Sequence, residues 1–282
     1  MADVRGTPTR ALPLGKRIGR AILPIFTGLV VLYLFLPILV MAVFGFNDIE
    51  GRFNFTWQGF TLEHWQNLFT RYPALNESLI NSLTVAVIST LVATTFGTLI
   101  GLALTRYDFR GRGPLNLLIF LPIATPEIVL GASLLALFIS AGVARDLTTI
   151  TIAHIMFNIS FVVVTVRARI AGFDRALEEA AMDLGADEWA TFRKVTFPLI
   201  FPGILAAGLL AFALSIDDFV ISQFTAGQTI TFPLWVYGAS RIGVPPQVNV
   251  MGTLIFLIAL VGIVVWVFLQ RRDEAMLRRP SG

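Results

Sequence analysis

Five stretches of this 282-residue chain, 21–46, 78–105, 147–166, 195–216 and 242–270, contain no Asp, Glu, Lys or Arg. About 20 apolar residues in a helix cross the roughly 30 Å of bilayer hydrocarbon. A charge at the centre of such a helix costs about 2.5–3.5 kcal/mol on insertion scales. A sixth stretch, 113–144, carries one charge, Glu127, and is too long and too apolar to lie outside the membrane. The composition agrees: 56% hydrophobic, 14% charged, mean hydropathy +0.78. A soluble core does not absorb that much apolar surface. The expected fold class is all-α, a polytopic membrane protein with six transmembrane helices. The spans fall near 21–46, 78–105, 114–140, 147–166, 198–216 and 246–270, between tails at 1–20 and 271–282.

Basic residues set the orientation, because Lys and Arg accumulate in cytoplasmic loops. With the N-terminus inside, 17 of the 21 basic residues lie in the cytoplasmic segments around 5–20, 106–112, 167–194 and 271–279. Only Arg52, Arg71, Arg145 and Arg241 remain outside. Both termini are therefore expected in the cytoplasm. The stretch 219–240 is also uncharged, but counting it as a seventh span would carry the last four basic residues outside. Its Ser, Gln, Thr and Pro content fits a segment at the outer surface or folded partway into the membrane, where protein satisfies its backbone. The apolar run at 21–46 exceeds a signal-peptide h-region and has no small-residue cleavage site after it, so it reads as a retained helix.

Several chemistries drop out. A net charge of +3, scattered along the chain, gives no clustered surface for nucleic acid. Without Cys, and with two His, there is no thiolate or His-rich metal set. No Gly-rich loop followed by Lys-Ser/Thr is present to cradle ATP phosphates.

The longest cytoplasmic loop, 167–198, reads as helix, turn, helix. Asp174 can cap the first helix, on which Leu177, Ala180, Ala181 and Leu184 form one apolar stripe. Gly185 ends it, and Asp187 can cap a second helix carrying Trp189, Phe192 and Val195 before Pro198. An amphipathic hairpin packed under the membrane helices is one reading of that pattern. The spacing Glu179-Ala180-Ala181, Gly185, Val195, Phe197-Pro198 resembles the EAA loop of bacterial ABC importer permeases, with Val for Ile and Phe for Leu. The resemblance covers the whole chain and implies the MetI-like ABC importer permease fold in the plasma (inner) membrane. It implies that Glu179, Ala180, Ala181, Gly185, Trp189 and Pro198 couple the chain to a cytoplasmic ATPase dimer. ATP and Mg would sit on that partner, and no cofactor on this chain. A second homologous permease subunit, an extracytoplasmic substrate-binding protein and membrane lipid complete the implied partners, and no catalytic residue is implied.

The second half is similar to the spermidine/putrescine permeases, particularly their second permease subunit. The residues that carry the similarity are 209–212, Leu214 to Asp218, Phe224, Gly227, Arg241, Gly243, Pro246 and Asn249, with Pro122, Pro126, Glu127, Ile128 and Gly131 earlier. Gln247 stands where that group often has Glu. A polyamine losing water needs fixed carboxylates, which Asp217, Asp218 and Glu127 can supply along a substrate path. Trp235 and Tyr237 can hold an ammonium on their ring faces. Each has a plainer role: Asp217 and Asp218 as caps, Glu127 at a broken helix, Trp235 and Tyr237 in an interfacial belt. His154 and Asn158, at i and i+4, read as interhelical hydrogen-bond partners. Two other classes fit less well. An intramembrane enzyme would need Asp217 and Asp218, about 100° apart on a helix, to act as a dyad. An ATP-independent channel leaves the EAA-like loop without a purpose.

Overall fold

A computed structural model of the chain describes residues 14–51 and 53–277. Arg5, Arg10, Arg52, Arg278 and Arg279, which entered the orientation argument, lie outside the described residues, as do the ends of both expected tails. Twelve helices follow one another among the described residues, with no named strand: α1 (Leu14–Phe44), α2 (Glu63–Gln66), α3 (Pro73–Arg106), α4 (Arg112–Ala124), α5 (Glu127–Ser140), α6 (Leu147–Ala171), α7 (Ala176–Asp183), α8 (Glu188–Thr191), α9 (Phe197–Asp217), α10 (Val220–Thr225), α11 (Phe232–Ser240) and α12 (Pro246–Leu277).

Four helical runs are long and apolar enough to cross a bilayer: Ile22–Phe44, Pro73–Arg106, Leu147–Ala171 and Glu188–Asp217. The expected third span, 114–140, is not one rod. The chain bends by 111° between α4 and α5, at Thr125 and Pro126. Proline has no N–H for the carbonyl four residues back and pushes the residue before it out of helical geometry; Thr125 is extended, at φ −84° and ψ 132°. The final helix continues past the expected 270 to Leu277, its described apolar part being Pro246–Gly262. The stretch 219–240 folds into α10 and α11, each too short to cross.

The run Glu188–Asp217 is continuous because a π-helical turn, Phe192–Thr196, joins α8 to α9. Pro198 cannot donate to the Lys194 carbonyl and its ring crowds that oxygen. Widening the preceding turn, with the Phe197 amide on the Phe192 carbonyl, accommodates it.

The chain divides into two compact units, 69–241 and the pair of segments 1–68 and 242–282. In the first, α3, α6 and α9 bury Ala93, Val162, Val166, Ile170, Ile200, Ala207 and Ala211 together. Gly97 permits this: a Cβ there would lie 2.6 Å from Val162 Cγ1, the close approach that small residues give membrane helices. A second cluster joins α5, α6 and α10 through Leu134, Phe138, Ala153, Phe157 and Ile221. In the other unit, α1 meets α12 through the edge-to-face pair Phe35 and Phe256. Asn47 pins the following loop by donating to Asn54 Oδ1 at 2.6 Å and accepting from the Gln58 amide at 2.7 Å.

Candidate functional site

The loop between α6 and α9 folds as the expected hairpin, but its apolar stripe is not packed beneath the membrane helices. No residue of α7 is buried. Leu177 and Met182 are exposed, Leu184 is 90% exposed and Trp189 68%. Trp189 stacks on Phe192, which begins an aromatic series through Phe197 to Phe201. Asp187 caps α8 by accepting the Ala190 amide at 2.6 Å. Asp174 accepts the Ala176 amide at 3.0 Å, one residue ahead of the helix's own N-cap, Arg175. Gly185 has φ +90°, the left-handed conformation that ends a helix with the amide of Ala186 on the Ala181 carbonyl (3.1 Å) and its own on Met182 (2.8 Å). Nothing lies within 4 Å of a Cβ placed there, so backbone conformation, not a close approach within the chain, is what calls for glycine.

The acid that anchors this hairpin is Glu178, not its exposed neighbour Glu179. Arg106, the last residue of α3, donates Nη2 to Glu178 Oε1 at 2.6 Å and Nη1 to Oε2, while Thr196 of the π turn donates to Oε1. The Arg106 guanidinium also lies 5.7 Å from the Phe173 ring centroid. Burial alone raises the Glu178 pKa. Hydrogen bonds from Arg106 and Thr196 and the charges of Arg106 and Arg175 outweigh it and hold the carboxyl below the usual range. The consecutive Glu178-Glu179 was the available signal: on a helix they point about 100° apart, so one can serve the fold while the other faces out.

At the far end of α9, Asp217 is exposed and Asp218 is not. The Asp218 side chain, 7% exposed, accepts the first-turn amides of α10 from Ile221 (3.2 Å) and Ser222 (2.8 Å). His154 Nε2 lies 3.2 Å from Asp218 Oδ2 and from Ser222 Oγ; Nδ1 lies 2.7 Å from Ser215 Oγ. A carboxylate only accepts, so Nε2 carries the proton. Ser89 of α3 reaches the same Ser215 hydroxyl at 3.1 Å. This buried network ties α3, α6, α9 and α10 together. Asn158, one turn along α6 from His154, has no side-chain partner among the described residues.

Glu127 opens α5 just after the break and is exposed. One turn on, Gly131 receives Phe224 of α10, whose Cδ2 would lie 2.5 Å from a Cβ; two residues of the family-like pattern thus meet. Gly227, at φ +62°, brings its Cα against the Arg145 carbonyl. Trp235 is half-buried beside Tyr72. Tyr237 is exposed, with Phe219 at 4.6 Å on its ring and the Arg241 guanidinium 4.7 Å from its centroid. In the other unit, Gln247 is 1% exposed and donates to His64 Nδ1 at 3.1 Å, while His64 Nε2 bonds the Asn47 carbonyl at 3.0 Å.

Long apolar helices and a π-jointed hairpin with an uncovered apolar surface make this a helical membrane protein with a surface outside the membrane spans that can meet another protein. The chain belongs to the family of binding-protein-dependent transport system inner membrane components, whose pattern it matches over residues 93–278. It is 39% identical over 248 residues to the spermidine/putrescine transport system permease protein PotC of Escherichia coli K12, covering 88% of this chain and 93% of that one. It is 34% identical over 255 residues to the putrescine transport system permease protein PotI of the same organism, covering 87% and 90%. In three dimensions it resembles a chain of a bacterial ABC transporter that imports the acidic polysaccharide alginate, with TM-score 0.64, 18% identity and coverage of 93% and 99%. The fold is thus the MetI-like permease fold, and the protein is a polytopic inner-membrane importer permease; hydrolysis of ATP belongs to a partner chain.

Proposed function

We propose that this permease imports polyamines of the spermidine/putrescine type, forming half of a path completed by a second, homologous permease subunit. The observation that carries the reading is the 39% identity to a spermidine/putrescine permease over nearly the full length of both chains. An extracytoplasmic binding protein delivers the cargo, and a cytoplasmic ATPase dimer drives the cycle. In this reading the chain crosses six times, and the basic residues of alternate loops support cytoplasmic termini. The ATPase seats the hairpin through Leu177, Ala180, Ala181, Leu184 and Trp189, with Glu179 facing a basic group and Gly185 and Pro198 fixing the shape. Exposed apolar side chains of this size support a protein contact.

Along the path, Asp217 and Glu127 offer exposed carboxylates to the ammonium groups, and Asp218 holds the framework behind them. Trp235 and Tyr237 line the outer part, Tyr237 exchanging the Arg241 guanidinium on its face for a substrate ammonium. The test is uptake of radiolabelled spermidine, putrescine and maltose by vesicles holding the assembled transporter. Polyamine uptake dependent on ATP, with none for maltose, supports the proposal; sugar uptake without polyamine uptake overturns it.

A further inference from the structure

At the ends of α3 and α6 that precede the hairpin, α4 leaves a cavity of about 470 Å³ lined by Arg112, Asn116, Arg167, Leu104, Phe120 and Val164 among others. Arg167 is half-buried. It donates Nη1 to Asn116 Oδ1 at 2.6 Å, and no carboxylate lies within ion-pairing distance of it among the described residues. A guanidinium has five N–H donors and stays charged, so most of its donors and its charge have no protein partner among the described residues. Arg112 pairs with Asp108, whose side chain is 91% exposed; an ion pair held that loosely in water yields readily to a better anion. α4 begins at Arg112 with no side-chain cap on its first turn, which adds the positive end of a helix to the two arginines.

A polyamine is repelled by such a lining, so the cavity is not part of the proposed path. Its other wall is apolar, and Leu117, Leu118 and Leu121 on the same helix are exposed. Basic pockets between membrane helices on the cytoplasmic side, polar at one end and greasy at the other, match a phospholipid with a net negative headgroup. The geometry points to a site for one anionic phospholipid of the cytoplasmic leaflet: Arg167 and Arg112 hold the phosphate, and Phe120 and Val164 flank the first carbons of the acyl chains. The assignment rests on the hairpin facing the cytoplasm.

The assembled transporter, purified in mild detergent, is incubated with equal amounts of dioleoylphosphatidylglycerol and dioleoylphosphatidylcholine, and retained lipid is read by native mass spectrometry. Phosphatidylglycerol is retained in preference. The preference falls roughly fivefold with Arg167→Gln and again with Arg112→Gln, and Arg167→Lys restores most of it. Equal retention of the two lipids, or a preference that both Gln variants leave intact, overturns the site; Arg112→Gln alone decides if Arg167→Gln does not assemble. Displacement of the lipid by excess glycerol 3-phosphate assigns the cavity to a soluble phosphate and also overturns it. Because the chain has no native Cys, labelling Ala186→Cys in sealed cells reports separately on which side the hairpin lies.

Discussion

Glu178 receives both terminal nitrogens of Arg106, so the first helix of the hairpin is fastened to the end of α3 by a two-point ion pair. Thr196 adds a third attachment from the π turn. The hairpin's exposed apolar surface is therefore presented by a fixed frame. Glu178→Gln leaves a half-buried guanidinium with a weaker partner, at a cost of about 1.5–3 kcal/mol typical of a hydrogen bond to a charged group. ATP-driven uptake is expected to fall roughly tenfold, the equivalent of about 1.4 kcal/mol, while the partner's ATP hydrolysis persists. Unchanged uptake would show that the fastening is dispensable.

The same carboxyl sets a pH window. Its pKa is held below the ordinary value when folded, so the stabilisation is fully present above about pH 4.3, the unfolded value, and drains away as pH falls through the lower folded value. Hydrogen-exchange protection factors in residues 176–196, corrected for the pH dependence of the intrinsic rate, should fall on acidification below pH ~4. In Glu178→Gln that fall is absent.

Gly185 holds a positive φ with open space around it, so substitutions there report on backbone strain. Gly185→Asn should be mild and Gly185→Val costly by about 1–2 kcal/mol. Thermal unfolding of the assembled transporter ranks the two; equal effects would argue for a contact instead.

Phe224 fills the space that a side chain at Gly131 would need. Gly131→Leu overpacks this contact at about 1–3 kcal/mol, and Phe224→Ala relieves it. The double variant should be more stable than Gly131→Leu alone, a coupling read by a double-mutant cycle.

Asp217 and Asp218 are neighbours in sequence with opposite surroundings, so their Asn variants should separate. Asp217→Asn raises the spermidine KM and leaves stability near wild type. Asp218→Asn weakens the buried acceptor of His154 and of the α10 amides and costs about 1.5–3 kcal/mol, seen as a lowered Tm. Identical behaviour of the two would sink the division of roles proposed above.

Much of this was legible in the residues alone. Uncharged runs located every long helix, and Gly185 and Asp187 marked the hairpin's turn because their φ and capping needs are local. The break at Pro126 was legible as one role open to Glu127, but the otherwise continuous apolar run still read as a single span over 114–140. Gly97 and Gly101, four residues apart, carry the spacing of a close helix contact, yet only the fold names Val162 as the partner of Gly97. Glu178 escaped because its role depends on Arg106, 72 residues away. Gln247 in place of a carboxylate found its reason in His64, which sequence spacing does not bring near.

The π turn that joins α8 to α9 keeps one uninterrupted rod from Glu188 to Asp217. Thirty residues at about 1.5 Å each make a lever of about 45 Å. In the coupling proposed above, a swing of that lever by about 10° about its hairpin end carries the Asp217 end through about 8 Å for that length.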